Sequence, residues 1–283
     1  MKWYQIIVPY LTSPEAQNKL IHDLFQITGS GYEEDSENRQ LILYCLMEQL
    51  PDVRNILDHY QLFCSQPVSV NPLEDTDWEN NWKKYIQPVQ AGDFYVHPPW
   101  HQPESGKTSI NINPSTAFGT GSHATTRLAL QTLTQITSTD QKCFLDIGTG
   151  SGILTFAAVL KGFSTAWAID IDHFIYDNFH ENIKANGLDR KNINLYIGKL
   201  VHLSLPFSFH YTIINMLPQN FQPIKEEVFR FIAPGGTLFY CGFLKEDQEE
   251  IIESLYREDF TLEIGPSLGE WGSLFMTRIN RGR

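Results

Sequence analysis

Cys143-Phe144-Leu145-Asp146-Ile147-Gly148-Thr149-Gly150-Ser151-Gly152-Ile153-Leu154 decides the fold: an apolar strand, a carboxylate, three alternate glycines, then an apolar helix from Ile153 to Leu160. Glycines at 148, 150 and 152 allow positive φ and remove Cβ atoms where backbone must approach a ligand. Dinucleotide folds space such glycines G-x-G-x-x-G, whereas the spacing here is G-x-G-x-G. Asp146 would repel a pyrophosphate but can pair with an ammonium group. The next strand, Thr165 to Ile169, ends in Asp170, where a carboxylate can accept both hydroxyls of a ribose. A ligand with an amino acid at one end and a nucleoside at the other satisfies both, and S-adenosylmethionine is that ligand.

Outward from this turn, strands and helices alternate. Strands are expected at 143–147, 165–169, 193–197, 211–216 and 237–243, with helices at about 151–161, 174–186, 219–232 and 246–257. That order specifies a doubly wound, Rossmann-like parallel sheet. Strands at 259–265 and 271–279, joined by a short Gly/Pro-containing connection, add a hairpin and bring the sheet to seven strands, one of them antiparallel. Upstream, strands at 3–8, 32–34, 40–47 and 66–70 with helices at 14–26 and 52–60 give βαββαβ, a small ferredoxin-like α+β layer. The chain thus divides into an N-terminal recognition domain at 1–70, a Trp/Pro-containing linker at 71–109 and a cofactor-binding domain at 110–283. Trp78 and Trp82 in the linker lie one helical turn apart, as a structural staple would.

Composition bounds the function. The 283 residues can bury a large core, and 42% hydrophobic content without a long apolar run argues for a soluble, cytoplasmic protein without a membrane span. A net charge of -12 disfavours direct nucleic-acid binding and suits a basic protein partner. Cys45, Cys64, Cys143 and Cys241 show no metal or disulfide spacing and read as free thiols. His97, His101 and His123 form no ligand set with carboxylates, so no metal is expected and structural or loop roles suit them better.

The run Asn113-Pro114-Ser115-Thr116-Ala117-Phe118-Gly119-Thr120-Gly121-Ser122-His123-Ala124-Thr125-Thr126 resembles the cofactor-capping segment of the bacterial methyltransferases that modify large-subunit ribosomal protein eleven. The resemblance extends to Pro98-Pro99-Trp100, DIGTGSGIL, the AIDID strand end at 168–172, NML at 215–217 and APGGTL at 233–238, covering roughly residues 75–280. It implies a protein N-methyltransferase using S-adenosylmethionine on amines of that basic ribosomal protein. It also implies that Gly119, Thr120 and Gly121 close over the cofactor, with Thr126 starting the helix behind them, and the residues themselves agree: the flexible turn Phe118–Gly121 carries in Phe118 an apolar side chain that can cover an adenosine.

Asn215 ends the fourth strand at the sheet's carboxyl edge. Its amide oxygen and a nearby backbone carbonyl can accept amine hydrogens and aim the lone pair at a methyl group. The same residue can cap the helix that follows, and the two roles can coexist. The cofactor-binding set is therefore Phe118, Gly119, Thr120, Gly121, Asp146, Gly148, Gly150, Gly152, Asp170 and Asn215, with Asn215 as the catalytic residue. The chain departs from the family at four places: Lys199 stands where many relatives carry an acid, His210 where an acid often opens the fourth strand, Met216 where Ile or Val is usual, and Pro218 where Ala is usual. The cofactor half does not encode its acceptor, so an RNA or small-molecule methyltransferase and a non-catalytic, cofactor-binding ribosome-associated protein stay open. The protein is expected to work as a monomer.

Overall fold

The computed structural model describes residues 3–28, 32–35, 38–64, 67–73, 86–114, 121–137, 139 and 142–280. Two compact units divide at Ile86/Gln87.

In the first unit, strands β1 (Trp3–Pro9), β2 (Tyr32–Asp35), β3 (Gln40–Leu46) and β4 (Ser69–Leu73) form an antiparallel sheet in the order β2-β3-β1-β4. Helices Pro14–Thr28 and Leu50–Tyr60 accompany it. Alternation decides the faces. Ile6 and Val8 of β1, and Leu41, Leu43 and Cys45 of β3, point inward onto Leu20, Leu24, Val53 and Leu57 of the helices. The last strand lies three residues later than the 66–70 expected, and Pro72 is tolerated there because β4 is an edge strand.

The second unit opens with a small sheet of β5 (Val89–Ala91), β6 (Phe94–His97) and β7 (Thr108–Asn111). Ala91, Phe94, Val96 and Ile110 are buried in the unit's main core, so this part of the stretch read as a linker is folded into that core. Trp78 and Trp82 lie outside the described residues.

The large sheet follows: β8 (Cys143–Ile147), β9 (Thr165–Asp170), β10 (Ile193–Ile197), β11 (Phe209–Asn215), β12 (Ile232–Leu244), β13 (Phe260–Ile264) and β14 (Trp271–Arg278). Among the described residues its order is β10-β9-β8-β11-β12-β14-β13. The first five strands are parallel, and β14 runs antiparallel to both its neighbours. Helices on both faces bury the strands, which is why they read as nearly continuous apolar runs. One face packs Phe144, Ile213 and Phe239 onto the helices Ala124–Thr134 and Ile153–Lys161, and the other packs Leu145, Ile214 and Tyr240 under Phe221, Val228 and Ile251. The helix expected at 219–232 is broken: Pro218–Phe221, a 3-10 turn at Gln222–Ile224, then Lys225–Phe231. Pro223, lacking an N–H, accounts for the break.

The strand order reverses between β8 and β11, so the crevice at their carboxyl ends is a topological switch point, where open α/β sheets bind ligands. Register brings Gly148, Asp170, Gly198 and Asn215 to that edge: Asp146 is level with Ala168 and Ile213, and Ile197 with Asp170. No helix among the described residues is long and apolar enough to cross a membrane.

Candidate functional site

The glycine turn is stitched to the neighbouring strand. Gly148, Gly150 and Gly152 all have positive φ, at 76°, 52° and 85°. The Gly148 and Thr149 amides donate to the Ile169 carbonyl at 2.8 and 3.1 Å, and the Gly150 amide donates to Asp170 Oδ2 at 2.9 Å. Gly152 is required by packing: a Cβ there would lie 2.4 Å from the Phe156 ring and 2.7 Å from that of Phe179. It sets the helix Ile153–Lys161 against the core.

Asp146 is 1% exposed. Its Oδ2 accepts from the hydroxyls of Thr149 and Thr155, both at 2.7 Å, and from the Thr155 amide at 3.2 Å. Its Oδ1 is equally buried and has no hydrogen-bond partner among the described residues. Burial pushes the carboxyl pKa up to about 6, opposed by the threonine hydrogen bonds and assisted by the charge of Asp170. An orphaned, buried carboxylate oxygen costs free energy unless a donor meets it, and a cation is the best such donor. The threonines could be anticipated only as hydroxyls close in sequence to Asp146, with nothing to say which oxygen they would occupy.

Asp170 is half-buried; Oδ1 accepts from the Asp172 amide at 3.1 Å, and each carboxylate oxygen keeps acceptor capacity beyond these backbone bonds. It lines a cavity of about 650 Å³ together with Gly148, Ile171, Lys199, Val201, Met216 and Glu227. Exposed Ile171 and Val201 give this cavity apolar rims. Lys199, where an acid was expected from the family pattern, stands beside it as an exposed cation. A cavity of similar size, about 610 Å³, beside Leu133, Phe144 and Phe275 contains none of the candidate residues.

Asn215 does not cap the following helix. Leu217 is the N-cap residue, and its carbonyl accepts from the amides of Asn220 and Phe221 at 3.0 and 3.3 Å. Pro218 takes the first helical position, where a missing N–H costs nothing. The Asn215 side chain instead donates through Nδ2 to Thr126 Oγ1 at 3.3 Å, and Thr126 is 1% exposed. With Nδ2 so engaged, Oδ1 is the end left to accept. Gly242 holds this corner: a Cβ there would lie 2.5 to 2.9 Å from the Met216 backbone.

Gly121 has φ 86° and sits against Val96 and Ile153. Phe118, Gly119 and Thr120 lie outside the described residues. His123 is the N-cap of the helix Ala124–Thr134; its Nδ1 accepts from the Thr125 amide at 3.4 Å and its ring meets Trp271 edge-on. Thr126 is therefore in the helix's first turn rather than at its start. His210 has a structural task, accepting the first amide of β8 from Cys143 at 3.1 Å. No group of histidine, cysteine and carboxylate side chains suited to a metal occurs among the described residues.

With this geometry in place, comparison is informative. The family described as "Ribosomal protein L11 methyltransferase (PrmA)" matches residues 14–279. The chain belongs to this family. A relative from Carboxydothermus hydrogenoformans bearing the same name is 34% identical over 206 residues, covering 70% of this chain and 65% of that protein. One from Streptococcus pyogenes is 30% identical over 263 residues, covering 91% and 80% respectively. The crystal structure of ribosomal protein L11 methylase from Lactobacillus delbrueckii subsp. bulgaricus superposes with a TM-score of 0.61 at 24% identity, over 68% of this chain and 99% of that one, and so shares the fold.

Proposed function

We propose that the protein transfers methyl groups from S-adenosylmethionine to amines of large-subunit ribosomal protein L11. The observation that carries the reading is the pair of carboxylates, Asp146 and Asp170, joined by one glycine turn at the switch point: one buried with an oxygen unmet, the other facing a cavity. These acceptors suit the hydrogen-bond donors of the cofactor. Asp146 Oδ1 would take its ammonium group, Asp170 its ribose hydroxyls, and the apolar rims of Ile171 and Val201 its adenine. When bound, the cofactor supplies an electrophilic methyl on a cationic sulfur.

What remains for the chain is orientation and exclusion of water. Thr126 engages the Asn215 amide nitrogen, so Asn215 Oδ1 is left to accept a hydrogen bond from the N–H of the neutral acceptor amine and would direct its lone pair. An α-amine, with a pKa of roughly 7.7 to 8.0, offers free base more readily than a lysine at roughly 10.4. Neither demands a strong general base from the protein, and none of the described groups beside Asn215 supplies one. The net charge of -12 favours encounter with a basic partner, and the first unit, with its own core and no part of the glycine turn, is the element we assign to its recognition. The reading places the protein in the cytoplasm as a monomer.

The test is incubation with labelled S-adenosylmethionine and ribosomal fractions. Label in protein supports the reading; label in RNA, or cofactor binding without transfer, contradicts it.

A further inference from the structure

Helix Ile175–Ala185 carries asparagines at 178, 182 and, at its C-cap, 186, one helical turn apart on one face. Together they read the backbone of an extended segment. Asn186 Oδ1 accepts the Asn111 amide and Nδ2 donates to the Asn111 carbonyl, both at 2.7 Å. Two residues on, Asn182 Oδ1 accepts the Asn113 amide at 2.9 Å and Asn178 Nδ2 donates to the Asn113 carbonyl at 3.1 Å. Between them the Ile112 amide turns to the other side and donates to His97. The spacings are commensurate, since four helical residues rise about 6 Å and two strand residues about 6.6 Å. The helix thus serves as a strand partner made of side chains.

Asn182 does more than its neighbours. It is 0% exposed, and its Nδ2 also donates to the Ser151 carbonyl, between Gly150 and Gly152, at 3.0 Å, and to Asn178 Oδ1 at 3.2 Å. Its amide therefore joins the glycine turn to Asn113, the first residue of the run that resembles the cofactor cap, and does so from the helix that follows the Asp170 strand. We propose that Asn182 is a positioning residue for the cofactor, holding the glycine turn and the entry to the capping segment at a fixed separation. This rests on the function proposed above. Only an amide meets both demands: it offers an acceptor to the Asn113 N–H and donors to the Ser151 carbonyl, whereas a carboxylate would face that carbonyl with an unpaired oxygen. Asn186, with equally good bonds to the same segment and none to the glycine turn among the described residues, is the internal comparison.

The experiment measures S-adenosylmethionine binding calorimetrically, together with KM for cofactor and for ribosomal protein, in wild type, Asn182→Ala, Asn182→Asp and Asn186→Ala. Both Asn182 variants are expected to raise the cofactor Kd and KM about tenfold or more, with KM for the ribosomal protein unchanged, while Asn186→Ala loses stability but keeps cofactor affinity. Equal weakening by Asn186→Ala, or no weakening by the Asn182 variants, overturns the assignment. If the Asn182 variants do not fold, hydrogen exchange on the wild type decides. Cofactor should protect the amides of both Asn113 and Ser151, and protection confined to one of them overturns it. A wild type that binds no cofactor instead sinks the function reading and this inference with it.

Discussion

Replacing Asp146 by Asn separates what this carboxylate costs from what it does. Its pKa is raised from 3.8 to about 6 by burial, and each pH unit of displacement corresponds to about 1.36 kcal/mol, so keeping it ionised in the fold costs about 3 kcal/mol. The folded carboxyl holds its proton more tightly than the unfolded one. The penalty is therefore absent below about pH 3.8, grows as pH rises, and is complete above about pH 6. Asn removes the charge and still offers an oxygen to Thr149 and Thr155, whose bonds to it weaken on neutralisation. The variant should be more stable than wild type at pH 7 by about 1 to 3 kcal/mol, with the advantage shrinking by about 1 kcal/mol by pH 5. Binding should move oppositely. If the carboxylate pairs with the cofactor's ammonium, wild-type affinity falls about tenfold from pH 7 to pH 5 as the group protonates, and the variant loses that dependence along with about 2 kcal/mol of affinity. Urea denaturation and titration calorimetry at pH 5, 6 and 7 supply both readings. A variant that is less stable at every pH, yet binds cofactor as wild type does, would refute the reasoning.

Asp170→Ala should weaken cofactor binding by about 1.5 to 3 kcal/mol in calorimetry while the sheet persists by circular dichroism. Unchanged affinity would sink the ribose assignment. Asn215→Asp should keep melting temperature and cofactor binding, because the Thr126 hydroxyl can donate to a carboxylate, yet slow single-turnover transfer at neutral pH by stabilising the acceptor as ammonium; recovery as pH rises is the signature, and a pH profile identical to wild type refutes it. Gly152→Ala places a Cβ at φ 85° against two phenyl rings and should lower stability by about 2 to 4 kcal/mol, read as a drop in urea midpoint.

The parts legible in the sequence are those governed by local pattern. Apolar runs such as Cys143–Ile147 and Thr165–Asp170, with helical periods between them, placed every strand of the large sheet, and the short connection after Ile264 announced the antiparallel pair. Gly148, Gly150 and Asp170 came together as their spacing implied. What was hidden depends on contacts far apart in the chain. The close packing at Gly152 is one example, since only the fold brings Phe179 against it. Asn215 looked like a helix cap because a helix follows, but the chain turns at Leu217 and the amide finds Thr126 across the sheet edge. Residues 89–111 are rich in prolines and aromatics, a linker composition, yet Phe94, Val96 and Ile110 alternate inward into the core. The asparagine ladder carried no signal, because helix propensity counts asparagine against a helix and its compensation lies in a segment about seventy residues away.

Purified ribosomal protein L11 incubated with the protein and S-adenosylmethionine, then analysed by intact mass and peptide sequencing, tests the central claim most directly. The expected result is a ladder of mass increments of one methylene each on L11, localised to amines, that needs a higher cofactor concentration with Asp170→Ala and slows with Asn215→Asp. L11 of unchanged mass, in the presence of a protein shown by calorimetry to bind the cofactor, would contradict it.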